Sequence, residues 1–503
     1  MKSSLFLKGF SLYKEIWSDQ PPLLTVILSY WLKLFGPSVP AGRILIFVFS
    51  SLLLWALYQT VKGRQGGFCA LMAIIFLVLS ATYLRLSISI ANDLPALSFA
   101  MLSIYFINLY NKFYLKYFLV LSGMIMALSL QIKLITIFLI PLIILEIIQI
   151  EKVNSKNRNH PFLPVILWAG SFLIIYFAII ITFFHFNFYM LIQQLINPHY
   201  LASKGVIPGY SQDTLLAVCN KVLLRDWDIF LLALMGIIFL GREKKYRTFF
   251  PILWLAMALA ILLNYKPVRQ YYYLLLSIPA SWLAAIGFKE CFLAAMRKKK
   301  WIRWLILSAI ILVLLRLPFK CSGILTDLKD TPNTEEHKAV ELLSGYSRRV
   351  RWVFTDMPIF AIYAGIPVPP ELAVISAKRI FTKNLQPAYL LTILEKYAPE
   401  IILLGRFQNK KTEAQKESEL KITPYLNKYY LKIARYTPQV LPPPSYLMPS
   451  FKGKSSFFKW LNNFLWHRKL AVMQMLKVPE RSDTEIDVYL RKTVTPNLPF
   501  SPG

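Results

Sequence analysis

The sequence predicts an α-helical polytopic membrane protein of about ten spans, with an interfacial helix near its start and a small extracytoplasmic α/β domain near its end. Three observations carry that prediction. The chain of 503 residues is 56% hydrophobic and 15% aromatic, with a mean hydropathy of +0.49, more apolar than an ordinary soluble globule. Apolar runs of helix length recur from Arg43 to about Pro318, long enough to cross a bilayer. Lys and Arg collect in alternate loops between those runs, as the preference of basic loops for the cytoplasmic side requires.

The elements follow in chain order. Residues 13–24 read YKEIWSDQPPLL, setting Glu15 and Asp19 just ahead of Pro21 and Pro22. An acid at the edge of a bilayer is costly and usually has a task; a solvated loop is the plain alternative. Residues 23–35 are apolar but short, and fit a helix lying at the interface. Residues 1–42 are therefore read as an extracytoplasmic loop with that helix.

The membrane domain, 43–317, divides into spans near 43–61, 67–83, 92–110, 115–132, 134–150, 162–184, 228–241, 249–264, 271–288 and 302–317. One set of loops holds Lys62 with Arg64, Lys112 with Lys116, Lys152 with Lys156 and Arg158, Arg242 to Arg247, and Arg297 to Lys300. These are cytoplasmic by the charge rule. The other set, with the Tyr13 stretch and everything after Pro318, faces outward. Both ends then lie outside with no helix to carry the first one there, which predicts a missing first helix.

The outer set gathers the candidate site. Asp93 begins a span in SISIANDLPALSF; Pro95 suits a first helical turn, and the plain role for Asp93 is an N-cap. Arg85 precedes it. Lys133 ends the fourth span, where a lysine commonly snorkels. Lys266 and Arg269 flank the short loop before three tyrosines, where basic anchors and an aromatic belt are ordinary. Together these are acids suited to deprotonate an acceptor and cations suited to hold a phosphate.

After Pro318 the hydropathy falls. Residues 351–355 and 400–405 read as strands, with helices over 358–365 and 386–397, an α/β unit within 318–436. Asp356 ends the first strand, most simply as a turn residue. Residues 437–503 read as an irregular basic tail, rich in Pro, Ser and Lys, with an amphipathic patch at 455–466.

Several classes are excluded. A net charge of +31 comes without any nucleic-acid motif, so no nucleic-acid partner is expected. Cys69, Cys219, Cys291 and Cys321 lack CxxC or zinc spacing; Cys69 and Cys291 read as small core residues, and a disulfide between Cys219 and Cys321 stays open. The five histidines form no paired-ligand motif, and neither a Walker loop nor GxGxxG is present.

YKEIWSDQPPLL, a short apolar helix and FGPSVPAGRILIFVFSSLLL together resemble the start of the protein mannosyltransferase-like, family 39 glycosyltransferases of the GT-C superfamily. Bacterial members include the lipid A aminoarabinose transferase. The family run of an acid, two prolines and a leucine, then FG and an arginine, is similar to Asp19, Pro21, Pro22, Leu23, Phe35-Gly36 and Arg43. A later outer aspartate matches Asp93, and the KP-x-R-x-Y element matches Lys266, Pro267, Arg269 and Tyr271. TDMPIFAIYAGIPVPPELAVISAKRI looks like the extracytoplasmic domain of bacterial members.

The resemblance implies a GT-C-like fold in a multi-pass plasma (inner) membrane protein. It implies inverting transfer of a sugar from a polyprenyl-phosphate donor to an acceptor hydroxyl on a lipid, glycan or protein. Asp93, Asp19 and Glu15 become the candidate catalytic acids, and Arg85, Lys133, Lys266 and Arg269 the candidate donor-phosphate contacts. The cofactor is left open, a divalent metal being one option. Two departures stand: Gln20 replaces the usual lysine, and the family's main catalytic aspartate would lie before residue 1, which predicts a chain that begins too late. A polyisoprenoid-lipid or glycan transporter, or a non-catalytic scaffold, is the competing class, and would carry polar residues or broken helices at mid-membrane.

Overall fold

The computed structural model describes residues 1–154, 162–204, 215–242, 249–264, 270–297, 334–376, 379, 384–405, 422–436 and 486–494. After α1 (Lys2–Leu7), the chain forms α2 (Leu23–Phe35), a short apolar helix at the expected residues, with Tyr30, Leu34 and Phe35 exposed. Trp31 donates its indole N–H to the Ala41 carbonyl (2.8 Å), fixing α2 to the next helix.

The bundle runs α3 (Val39–Gln65), α4 (Gly67–Val78), α5 (Ala81–Ser87), α6 (Asp93–Phe113), α7 (Tyr117–Leu130), α8 (Leu139–Asn154) and α9 (Leu163–Phe184). After a short helical segment (Phe188–Lys204) come α12 (Leu215–Arg242), α13 (Phe250–Asn264) and α14 (Leu274–Arg297). We number the two α-helical parts of that segment α10 (Phe188–Leu191) and α11 (Asn197–Lys204).

Local chemistry sets these ends. Ser38 caps α3, its hydroxyl accepting from Ala41 N–H (3.2 Å). Gly66 at φ +91° separates α3 from α4, a backbone setting that glycine takes without strain. Five described helices are long and apolar enough to span: Val39–Gln65, Asp93–Phe113, Leu134–Val153, Leu163–Phe184 and Tyr271–Ala294. Gly67–Val78, Tyr117–Leu130 and Phe250–Asn264 are apolar but shorter.

The expected span 67–83 stops at Val78, and the chain re-forms as α5. The expected span 228–241 is the second part of α12, whose backbone breaks at Asp226 (φ −128°, ψ 29°). The tenth, 302–317, lies outside the described residues.

α12 and α14 meet backbone to backbone. A Cβ on Gly236 would stand 2.1 Å from the Leu283 carbonyl oxygen, and one on Gly287 would stand 2.0 Å from that of Leu232. Small residues permit such contact between membrane helices.

Arg64 departs from its expected place in a basic loop. It is buried, 3.1 Å from the Glu146 carboxylate, with its Nε–H donated to Asn108 Oδ1 (2.8 Å) and the rings of Phe250 and Trp282 at 5.1 and 5.5 Å. The loop between α3 and α4 is a single residue, so Arg64 belongs to the last turn of a helix and faces its neighbours.

The α/β unit holds a four-stranded sheet of order β1-β2-β4-β3: β1 (Val353–Thr355), β2 (Ile401–Leu404), β3 (Tyr430–Tyr436) and β4 (Ile486–Arg491). β1 and β2 are parallel, with Phe354 opposite Ile402. β4 is antiparallel to both neighbours, with Ile402 opposite Tyr489 and Leu431 opposite Leu490. β4 lies inside the stretch read as an irregular tail; its IDVYLR alternation is short and surrounded by polar sequence, so composition hid it. Residues 1–42 are also less separate than expected. Leu5, Tyr13 and Ile16 share one buried cluster with Phe184 and Leu195 of the bundle side and Val353, Phe360 and Val488 of the α/β unit.

Candidate functional site

Asp93 opens α6, one residue beyond its N-cap, Asn92. Its carboxylate does not cap the helix; it accepts from the Lys133 ammonium, and both residues are buried. Lys133 therefore folds back instead of snorkelling. Its Nζ also lies 4.4 Å from the ring centroids of both Tyr271 and Tyr272, which precede α14. Two ring faces and a carboxylate together offset the cost of burying an ammonium.

Small polar side chains hold this geometry. Ser129, at the end of α7, lies 2.8 Å from the Ala96 carbonyl of α6 and 3.0 Å from the Thr136 hydroxyl. Thr136 in turn donates to the Lys133 carbonyl (3.1 Å). The tight turn after Leu130 is thus pinned to the first turn of α6, and Asp93 and Lys133 emerge side by side.

The Asp19 loop docks on the same turn. Leu23 N–H donates to the Gln131 carbonyl (3.0 Å), so the Pro21-Pro22 corner, itself buried, sits against the residues that lead to Lys133. Tyr13, at φ +68°, donates its hydroxyl to the Gln20 carbonyl (2.8 Å). Ser18 Oγ lies 3.1 Å from that carbonyl and 3.0 Å from the Lys2 ammonium. Burial lowers the Lys2 pKa, and the charge of Asp19 offsets part of that. Burial likewise pushes the Tyr13 phenol well up. The Asp19 carbonyl is 2.8 Å from His199 Nε2, and Ser18 N–H donates to Gln194 Oε1 (3.3 Å). Arg379 of the α/β unit, its pKa lowered by burial, stands 5.1 Å from the Trp17 ring.

The other candidates fall elsewhere. Glu15 is exposed, and its carboxylate accepts from Ser11 N–H (2.7 Å), closing its own turn. Arg85 is exposed on α5, whose last turn leads toward Asp93. Lys266 and Arg269 lie outside the described residues. Asp356 is buried, its carboxylate accepting from Gly405 N–H at 2.9 and 3.1 Å; it ties the ends of the parallel strands β1 and β2 together, a longer-range role than the turn expected of it.

One acidic feature was missed. Asp226 and Asp228 are both buried near the break in α12. Ser80 lies 3.0 Å from the Asp226 carboxylate and 3.3 Å from Ser277 of α14. RDWD carries the signal, two acids at the edge of an apolar run, and the expected span begins only at the second of them. Tyr271 and Tyr272 on one side and Ser277 on the other make the start of α14 the bridge between the two acidic positions.

When the Asp93–Lys133 pair opens, Lys133 can meet an anion and Asp93 a proton; the half-buried Asp19 can receive a proton without that opening. Among the described residues no three His, Cys, Asp or Glu side chains come together to hold a metal ion, so no step is routed through one.

Residues 19–181 match the family of dolichyl-phosphate-mannose-protein mannosyltransferases. The matched region starts at Asp19 and contains Asp93 and Lys133. The fold is similar to ArnT from Cupriavidus metallidurans bound to undecaprenyl phosphate, with TM-score 0.59 and 11% identity over 87% of this chain and 90% of that one. The apo form of the same protein gives 0.59 and 12% over 86% and 90%. The apo oligosaccharyltransferase of Archaeoglobus fulgidus gives 0.51 and 10% over 95% and 81%. No curated protein matches the chain by sequence. The family match thus falls on residues 19–181, the segment that builds the site, and the fold across most of the chain is similar to that of ArnT.

Proposed function

We propose that this protein moves a sugar from a polyprenyl-phosphate donor to an acceptor hydroxyl at the Asp93 end of its bundle, on the extracytoplasmic face of the plasma membrane. The observation that carries this reading is the buried Asp93–Lys133 pair with the Asp19 loop docked against its turn. It brings acids and a cation from three separate elements to one edge of a membrane domain. The undecaprenyl phosphate in the ArnT structure supports the donor class, and the family match supports the transferase class.

The chemistry assigned is a displacement at the sugar's anomeric carbon. The acceptor oxygen forms its bond to that carbon as the carbon–phosphate oxygen bond breaks, with inversion. The acceptor's proton passes to a carboxylate, Asp19 being the more open of the two and Asp93 the one that orients Lys133. The polyprenyl phosphate leaves with its charge held by Lys133, joined by Arg85, Lys266 and Arg269. Glu15, committed to its own turn, is given no step. A divalent metal remains a proposal without assigned ligands.

The test is transfer of a labelled sugar from a polyprenyl-phosphate donor to membrane lipid or peptide acceptors by the full chain in proteoliposomes. Asp93→Asn abolishes transfer with normal expression, and Asp19→Asn lowers it; unchanged transfer by Asp93→Asn overturns the site. Movement of the intact donor across the membrane, without sugar transfer by the unaltered chain, favours the transporter instead.

A further inference from the structure

We propose that the helical segment Phe188–Lys204 is a second interfacial helix, seated in the headgroup–acyl boundary of the bilayer, which holds the Asp19 loop on its other side. The proposal does not depend on the reaction above.

The chain leaves α9 abruptly. His185 and Phe186 both adopt left-handed backbone (φ +46° and +59°). Asn187 then restarts a helix at once, its side-chain oxygen accepting from Met190 N–H (2.9 Å). From there the helix is continuous through α10, a π-helical turn at Ile192–Ile196, and α11. A capped helix directly after a two-residue left-handed turn departs from the line of the span it follows.

Its two sides differ in chemistry. Phe188, Tyr189, Ile192, Ile196 and Tyr200 are 43–74% exposed. Four of them recur at intervals of four, which places them on one face. The other side carries Leu195, buried in the shared core, with Gln194 and His199 bonded to the Asp19 loop. No Asp or Glu occurs from 185 to 204. An exposed apolar stripe of this size has a partner, and here the occupant is lipid. The stripe follows on from the exposed side of α9, a helix long and apolar enough to span a bilayer, which carries Ile174, Phe177 and Ile181. Where the two helices diverge, Phe177, Ile181, Phe186 and Phe188 line a small open apolar cleft. A headgroup-level helix with its apolar side inward to the acyl chains fits all of these features.

The experiment uses the full chain in phospholipid nanodiscs. Nitroxide labels are placed at Ile192→Cys, Ile196→Cys and Tyr200→Cys, with Lys14→Cys as the water-exposed reference, after Cys69, Cys219, Cys291 and Cys321 are changed to alanine. Labels at 192, 196 and 200 relax more strongly with oxygen than with a soluble nickel chelate, and the label at 14 shows the reverse. If the alanine background does not fold, benzoylphenylalanine at position 192 in the otherwise unaltered chain yields a phospholipid photoadduct. Nickel accessibility at 192, 196 and 200 equal to that at 14 overturns the proposal. So do photoadducts of twice the chain mass, which would put a second copy on this face.

Discussion

Changing Lys133 to methionine leaves the Asp93 carboxylate buried without its cation. Asp93 and Lys133 side chains retain only 6% and 9% of their accessible surface, so water cannot replace the lost partner without local opening. Breaking a buried pair from one side costs about 3–5 kcal/mol, and the two tyrosine faces at 4.4 Å lose a cation interaction worth about 0.5–2 kcal/mol each when desolvated. These overlap, so the expectation for Lys133→Met is about 3–5 kcal/mol in total. Asp93→Asn strands the ammonium instead, but the rings still face it, and the loss is smaller. The double variant removes both charges and returns to within about 1–2 kcal/mol of the unaltered chain, since a neutral pair of similar volume is often tolerated. Equilibrium unfolding in mixed detergent micelles, read by near-ultraviolet dichroism, gives all four corners of the cycle. Stabilities of the double variant equal to the sum of the singles refute the pairing, as do singles that unfold like the original. Sugar transfer separates stability from chemistry: the double variant folds but transfers nothing.

Arg64→Met at the other end of the bundle strands Glu146 and costs about 3–5 kcal/mol; the same micelle unfolding measures it, and transfer per folded molecule stays unchanged. Gly236→Ala and Gly287→Ala each force α12 and α14 apart, costing about 1–3 kcal/mol, seen as a lower melting temperature in detergent. Ser129→Ala removes the link between α6 and the Lys133 turn at a stability cost of about 0.5–1.5 kcal/mol, and lowers transfer more than that stability loss alone explains. Val488→Asp places a charge in the buried centre of the sheet and opens the α/β unit to trypsin, while the bundle resists.

Legibility followed periodicity. Long apolar runs gave α3, α6 and α9 almost to their ends, because a membrane helix writes its length in composition; α14 continues to Arg297, past the expected end at 288, where Lys289 and Glu290 interrupt the apolar run. The short apolar α2 was readable for the same reason. Asp93 and Lys133 stand out in the sequence as charges at the ends of apolar runs, but not as a pair: forty residues separate them, and their meeting depends on Ser129 and Thr136, hydroxyls that look ordinary in an apolar run. Arg64 was misplaced because charge counting assigns a basic residue to a loop without asking how long the loop is. Asp226 was hidden by a helix that breaks where the span was expected to begin. The closing strand β4 has neither length nor strong alternation, and its partners are fixed only by the sheet.

That strand has a consequence for assembly. β4 lies between β2 and β3, which share no hydrogen bonds, so the apolar edge of Ile401–Leu404 waits for a segment made much later. Until residues near 491 have left the ribosome and the membrane machinery, a β1–β2 pair presents four buried-type side chains and an open ladder, the arrangement most inclined to pair with another chain. Closing so large a loop is slow compared with local helix formation. Completion of the sheet therefore depends on its last strand: the bundle can be in place while the unit beside it is still one strand short of a sheet.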